Sequence, residues 1–549
     1  MRRSNARIPA VDSRTKMDSL MPQLRPNASR SDIISRIFIA NTKRTKRNLW
    51  IFIALAAIFS AFCYLFVVSK GSRNSLVQKK KFGVVIDGGS TGTRIHVFKF
   101  LINEKGVPVY DFGKEGLSSL RVNPGLSSYS ADPESSGDSL LDLIEFAKGR
   151  IPKDYWGDTE IRLMATAGLR RLDVNVQERI MESCRRFLSS SGFKFQNDWA
   201  SVISGSDEGI YAWVAANYAL GSLGGDPQQT IGIIELGGAS AQVTFVSNEM
   251  LPPELSHTLK FGKFKYNLYS HSLLDFGQNA AYDSLKEMLT SRSHKLSVEF
   301  AWKGISVDPC TPSGYSHSME SWNLSADALD RKKDKYLRPL HAKGNFSECR
   351  SAALMLLQNG REKCSHQRCN LGSIFIPPLQ GKFLATENFF YTSKFFGLPP
   401  RAYLSDLMLA GERFCGEDWS KLKNKYNTLE EEDLQRYCFS SAYIVALLHD
   451  SLGIALNDDR ISFANEVGDI PLDWALGAFI LHNTDDSDVG QTGWIATIIG
   501  EDSSTLLSLF VVAAILIVTV WFLSKWKKPQ LKTIYDLEKG RYIITRVNR

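Results

Sequence analysis

Two stretches of the chain are apolar without interruption. Leu49–Val68 and Thr505–Ser524 are each 20 residues long and carry no charged side chain. Each is about long enough to cross a hydrocarbon core of ~30 Å at 1.5 Å per residue. A buried core helix is the alternative, but buried helices of this length usually carry polar positions. The pattern therefore predicts a membrane-spanning helix at each end. The first run is too long, and begins too late, for a cleaved signal peptide. Between the two runs the pattern alternates. VVIDGGSTGTRIHVFKF near residue 85 and GIIELGGASAQVTFV near residue 233 each predict a strand ending in an acid, a Gly-Gly turn with hydroxyl residues, and a second strand. Their acids, Asp87 and Glu235, are 148 residues apart, about one domain length, which points to two related lobes. Glu208 follows Ser204-Gly205-Ser206-Asp207 and starts an apolar-periodic run through Trp213 and Val214. It should sit in the first turn of a helix closed by Gly221.

Charge changes the picture at the ends. The net charge is +8, but residues 1–48 hold 12 Lys and Arg against 3 Asp and Glu, and residues 525–549 hold 8 against 2. That leaves 46 against 53 for the rest, so the middle is acidic and is not read as a nucleic-acid binder. Lys43, Arg44, Lys46 and Arg47 precede the first run, and Lys525, Lys527 and Lys528 follow the second. Both tails are expected in the cytosol and the domain between them in a lumen or outside the cell. Lys79, Lys80 and Lys81 weaken the asymmetry, although a long domain translocates largely regardless of charge. The expected organisation is a disordered basic tail (1–48), a span (49–68), a linker (69–81), lobe I (82–204 with 470–488), lobe II (205–469), a linker (489–504), a span (505–524) and a basic tail (525–549). Spans of 20 residues, the first rich in Phe, suit a thin Golgi or endomembrane bilayer better than a plasma membrane. The oligomeric state is left open.

Cysteine usage agrees with an oxidising compartment. Cys63 lies in the first span, and Cys184, Cys310, Cys349, Cys364, Cys369, Cys415 and Cys438 all lie in the domain, where disulfides are permitted. Seven is odd, and Cys184 stands apart, so it is expected to be a buried free thiol. Glycosylation sequons begin at Asn323 and Asn345 in the same region, whereas that at Asn27 falls in the tail and should stay unused.

A Gly-Gly turn can aim several backbone N–H groups at one anion. Ser90, Thr91 and Thr93 add hydroxyls on one hairpin, and Ser240 and Gln242 add donors on the other. An acid at the strand end can hold a divalent cation through water. A lone D-G-G-S is more often an ordinary turn, but two copies with an acid placed alike are not explained by turn chemistry. In the same way Glu208 alone reads as a first-turn acid stabilising a helix dipole.

These segments resemble those of the ecto-apyrases, or nucleoside triphosphate diphosphohydrolases, of the actin/hexokinase superfamily, and more narrowly a membrane-bound, plant-like apyrase. The matching segments are Asp87–Arg94, Thr166–Arg170, Glu208–Trp213 with Asn217, Glu235–Gln242 and Trp474–Gly477, with Tyr266–Gly277 and Tyr437–Ile444 between them. The resemblance implies an α/β fold of two ribonuclease-H-like lobes around a central cleft. It implies hydrolysis of the terminal phosphoanhydride of nucleoside tri- or diphosphates, with Ca²⁺ or Mg²⁺. Glu208 would be the general base, Ser240 and Gln242 would orient the water, and Thr166 would add a hydroxyl near the transferred phosphate. Gly88, Gly89, Ser90, Thr91, Thr93, Gly237, Gly238 and Ala239 would hold phosphate, and Asp87 and Glu235 the metal through water. Tyr391 and Tyr443 would stack on the nucleobase, whereas Phe389, Phe390, Phe395 and Phe396 read as core. The implied disulfides are Cys310–Cys349, Cys364–Cys369 and Cys415–Cys438. Arg94 and Arg170 read as solvated or salt-bridged rather than as phosphate ligands, and His96, His271 and His449 as structural. Three departures from the family stand out. Glu235 replaces the usual Asp, Gly92 stands where animal members often carry His, and Asp275 stands where they often carry Cys. Two other readings share the same hairpins: a small-molecule kinase, and a nucleotide-binding membrane protein without turnover.

Overall fold

The computed structural model describes residues 79–102, 108–110, 112, 116–291, 301–302, 305–315, 340–360, 363–364, 369, 371–485, 531–536 and 540–546. Both proposed spans, the N-terminal tail and Asn323 lie outside the described residues. Among the described residues no helix is long and apolar enough to cross a membrane.

The Val84-Val85-Ile86 run of β1 (Lys79–Gly88) is buried, as expected for β-branched residues in a strand covered on both faces. β1 pairs antiparallel with β2 (Thr93–Ile102), which pairs on its outer side with β3 (Pro108–Tyr110) and β4 (Leu117–Val122). On its other side β1 runs parallel to β5 (Glu160–Ala165), which is followed by β6 (Ala200–Val202). The second sheet repeats this plan. β7 (Gly232–Leu236) is buried throughout and pairs antiparallel with β8 (Ser240–Val246). Beyond β8 lie β9 (Ser256–Phe261) and β10 (Phe264–Leu274), in the order β8-β10-β9. A short sheet of β11 (Ala301–Trp302), β12 (Ile305–Asp308) and β13 (Leu340–Ala342) stands apart. On its other side β7 runs parallel to β14 (Phe383–Glu387), and β14 to β15 (Ile461–Phe463). The strand-turn-strand repeat of the sequence is thus a repeat of sheet topology.

Two helices join the sheets. Gly205–Ala219 packs on β7, β8 and β10, and Trp474–Asp485 packs on β1 and on Gly205–Ala219 itself. Their side chains share one apolar cluster that includes Val85 and Phe98 from the first sheet and Ile233 and Leu268 from the second. The helices approach backbone to backbone: a Cβ at Gly477 would lie 1.8 Å from the carbonyl oxygen of Tyr211. Gly477→Ala is therefore expected to destabilise the fold by about 1–3 kcal/mol or more and to displace the helix that carries Glu208. Urea unfolding checks the first effect and phosphate release the second.

Gly205–Ala219 begins where expected. Ser204 caps it, its hydroxyl accepting from the Asp207 amide, and Gly221 follows its end with φ 71°. The three implied disulfides, Cys310–Cys349, Cys364–Cys369 and Cys415–Cys438, are all formed. Cys184 is the free cysteine among the described residues, and burial pushes its thiol up to about 11. Asn345 caps the helix Phe346–Leu357, its side-chain oxygen accepting from the Glu348 amide. The basic C-terminal tail holds an antiparallel hairpin, Leu531–Asp536 with Arg541–Arg546.

Candidate active site

Each Gly-Gly turn is held by its strands. Asp87 pairs in register with Arg94, and Glu235 with Gln242, so each acid sits at the end of a central strand just before its turn. The turns face each other: a Cβ at Gly238 would lie 2.9 Å from Ser90 Oγ and 3.0 Å from Thr91 Cγ2. The amides of Gly89, Ser90, Thr91, Gly238 and Ala239 donate to no backbone carbonyl among the described residues, which leaves them for an anion. The Gly237 amide is different, because it closes its own turn onto the Ser240 carbonyl at 3.0 Å. The carbonyls of Gly237 and Gly238 accept from the amides of Gln278, Asn279 and Ala280, which holds the second turn in place.

One cleft collects most of the expected residues: Asp87, Gly89, Ser90, Thr91, Thr166, Glu208, Glu235, Gly237, Gly238, Ala239, Ser240 and Gln242. Gly88 and Thr93 do not line it. Both belong to strands behind the turn; a Cβ at Gly88 would meet Leu126 and Ala165, and Thr93 is buried. Their expected phosphate contact is corrected on that ground.

Glu208 is buried and pairs with Arg170, whose Nη2 lies 2.8 Å from Oε2. Arg170 is oriented by donating to the Ile203 carbonyl at 3.0 Å, and its Nη2 is 3.5 Å from Ser240 Oγ. Gln242 donates to Ser240 Oγ at 2.6 Å and to Ser272 Oγ at 3.0 Å, so the Ser240–Gln242 pair is itself fixed. Burial pushes the Glu208 carboxyl above the ordinary range, and the Arg170 charge opposes it. Thr166 follows β5, its amide donating to the Gly88 carbonyl at 3.2 Å.

Asp87 and Glu235 are both raised well above ordinary carboxyls. Burial is the main cause for each, reinforced by Asp473 and Glu208 at Asp87, and by Glu208, Glu387 and Asp473 at Glu235. Asp87 Oδ1 and Glu235 Oε2 are buried without a hydrogen-bond partner. Two orphaned carboxylate oxygens among repelling charges are the donor set a cation satisfies. Among the described residues no three His, Cys, Asp or Glu side chains gather closely enough to hold an ion directly.

Arg94 and Arg170 are both salt-bridged. Arg94 Nη1 lies 2.9 Å from Asp473 Oδ2, with His96 Nε2 at 3.4 Å from the same oxygen. His449 Nδ1 contacts the Ile454 carbonyl at 2.7 Å, a structural use. Asp275 takes φ 70° and pairs with Arg171 at 2.9 Å.

The two aromatic expectations part company. Tyr391 is 46% exposed, on the helix that starts after Glu387. Tyr443 is 0% exposed; its hydroxyl donates to the Phe276 carbonyl at 2.7 Å and its ring stacks on Phe439. No face of Tyr443 is left for a base, so it is a core residue. Phe389 is buried, and Phe395 and Phe396 pack against the same core.

Sequence reasoning missed Glu387, Asp473 and Arg121, which also line the cleft. Glu387 ends the apolar strand FLAT as Asp87 and Glu235 end theirs, a signal that was there to read. It adopts φ 59°, rare outside glycine, with its amide held by Asn465 Oδ1 at 2.7 Å. Burial and the Asp473 charge raise its carboxyl, against Arg94 and Arg121. Asp473 immediately precedes the matching segment Trp474–Gly477. Arg121 carries no local signal, since only the pairing of β4 with β2 brings it to the cleft.

A sequence profile of the GDA1/CD39 (nucleoside phosphatase) family matches residues 74–491. The chain belongs to the GDA1/CD39 family. It is 53% identical over 565 aligned residues to "Probable apyrase 6" of Arabidopsis thaliana, covering 100% of both chains. It is 28% identical to "Ectonucleoside triphosphate diphosphohydrolase 1" of Mus musculus, over 78% of this chain and 86% of that one. A solved nucleoside triphosphate hydrolase of Neospora caninum shares the fold, with a TM-score of 0.58 and 18% identity over 82% of this chain and 99% of that one. Like its GDA1/CD39 relatives the protein is a nucleotide phosphohydrolase of mixed α/β fold, in a family that works with divalent cations.

Proposed function

We propose that the protein is a membrane-anchored apyrase that releases the terminal phosphate of nucleoside tri- and diphosphates by direct attack of water. The observation that carries this reading is Glu208, a buried carboxylate aligned by Arg170 beside Ser240 and facing two Gly-Gly turns. Glu208 takes a proton from the attacking water, which Ser240 and Gln242 orient and Thr166 flanks. The free amides of Gly89, Ser90, Thr91, Gly238 and Ala239 donate to the equatorial oxygens of the transferred phosphate, where negative charge gathers. Asp87 and Glu235 would hold Ca²⁺ or Mg²⁺ through water, and the ion would supply positive charge against the phosphate chain. Tyr391 stacks on the nucleobase at the rim.

The two sheets correspond to ribonuclease-H-like lobes, with residues 82–204 and 470–488 forming one and 205–469 the other; the packing of Gly205–Ala219 and Trp474–Asp485 on different sheets supports the division. Residues 49–68 and 505–524 span the bilayer, with both tails cytosolic and the domain lumenal or extracellular. Golgi or endomembrane vesicles suit the short spans, and the three disulfides support an oxidising side for the domain. Asn323 and Asn345 are the proposed glycan acceptors.

The test is phosphate release by the full-length protein from ATP, ADP, GDP, UDP and AMP, with calcium, magnesium or excess chelator. Metal-dependent release from tri- or diphosphates but not AMP is the expected outcome. Binding of nucleotide with no release from any of them would overturn the reading.

A further inference from the structure

Two arginines, Arg94 and Arg121, line the cleft, a third, Arg170, reaches it through Glu208, and two of the three are salt-bridged. Arg94 is paired with Asp473 at 2.9 Å and Arg170 with Glu208 at 2.8 Å. Arg121 is different. Among the described residues no carboxylate lies within ion-pair distance of it, and its Nη2 donates to Thr91 Oγ1 at 2.7 Å. It comes from β4, directly across from Arg94 on β2. Its place is also reserved. A Cβ at Gly92 would lie 2.5 Å from Arg121 Nε, 2.6 Å from Asn123 Oδ1 and 2.9 Å from the Val122 carbonyl oxygen. A side chain at position 92 would crowd the guanidinium and the Val122 carbonyl.

We propose that Arg121 binds an oxygen of the substrate's phosphate chain and supplies the cationic side of the first Gly-Gly turn. A guanidinium presents several donors in one plane, so bonding Thr91 leaves others for an anion. Thr91 and the amides of Gly89 and Ser90 already face the same cleft. A cation that holds no ion pair among the described residues, set beside that nest, is what a polyanion selects. The proposal rests on the reading of the two turns as a phosphate cradle.

The test measures binding without turnover. Calorimetry on the full-length protein in detergent gives Kd for non-hydrolysable di- and triphosphate analogues, alongside kcat and KM for the nucleotides themselves, for wild type, Arg121→Ala, Arg121→Lys and Thr91→Val. Arg121→Ala is expected to weaken both ligands by roughly 10- to 100-fold, to raise KM more than it lowers kcat, and to flatten the salt dependence of Kd. Lysine restores part of the affinity, and Thr91→Val costs less than Arg121→Ala. An unchanged Kd in Arg121→Ala overturns the proposal, as does a Thr91→Val loss as large as that of Arg121→Ala, because the arginine would then only hold the loop. If Arg121→Ala lowers the unfolding temperature, Arg121→Gln replaces it in the same comparison. A wild-type protein that binds both ligands but releases no phosphate sinks the hydrolase reading, while Arg121 still stands or falls on Kd. One that binds neither sinks both.

Discussion

Glu208→Gln is expected to lower phosphate release by ~10²–10⁴-fold while nucleotide binding and fold persist. The substitution keeps the length of the side chain and an oxygen for Arg170, and removes the group that can take a proton. Only the ionised carboxylate is active, so rate should fall as pH falls through its pKa. Burial raises that pKa and Arg170 opposes the rise. The acid limb of kcat/KM is therefore expected above the range of an ordinary glutamate, and Arg170→Ala should move it higher still. The stability linkage follows from the same shift. A carboxyl raised in the folded state contributes stability below its unfolded pKa and loses it as pH rises through the folded one. Glu208 thus works ionised at some cost to the fold, and that pH dependence should vanish in Glu208→Gln. A variant with near wild-type turnover would remove Glu208 from the chemistry.

Withdrawing the divalent cation is the second large effect, and excess chelator is expected to abolish release. Asp87→Asn and Glu235→Gln should each cost on the order of 10²-fold or more, because the ion stabilises several kcal/mol of developing charge. A thermal readout separates binding from catalysis. Cation at 100 times its Kd stabilises the folded state by about 2.7 kcal/mol, so the unfolding temperature should rise in wild type and much less in Asp87→Asn. Glu235→Asp, one methylene shorter, is expected to keep activity and to change the ratio of calcium- to magnesium-supported rates. Full activity in chelator would dismiss the metal from the mechanism.

Much of the machinery was legible because its information is local. A strand that ends in an acid before Gly-Gly and a hydroxyl announces itself within ten residues, and it did so twice, at Asp87 and Glu235. The Ser204 cap and Gly221 bounded the Glu208 helix for the same reason. Other features depended on which chain segments meet. Arg94 and Arg170 read as solvated or salt-bridged and are salt-bridged, but their partners, Asp473 and Glu208, are 379 and 38 residues away in sequence. Tyr443 sits in a segment resembling a base-binding one, yet it is enclosed by Phe276 and Phe439. Gly92 read as a departure from a position where animal members often carry His, and Arg121, a strand away in the fold, lies against it.

The sequence by itself determined the two hairpins, the acid at each strand end and the helix bearing Glu208, since backbone pattern and turn chemistry act over a few residues. Only the tertiary structure decided which carboxylates share the cleft, which arginines are neutralised there and which aromatic ring remains exposed. Those outcomes are set by burial and by charges brought together across hundreds of residues, and neither is encoded in any single stretch of chain.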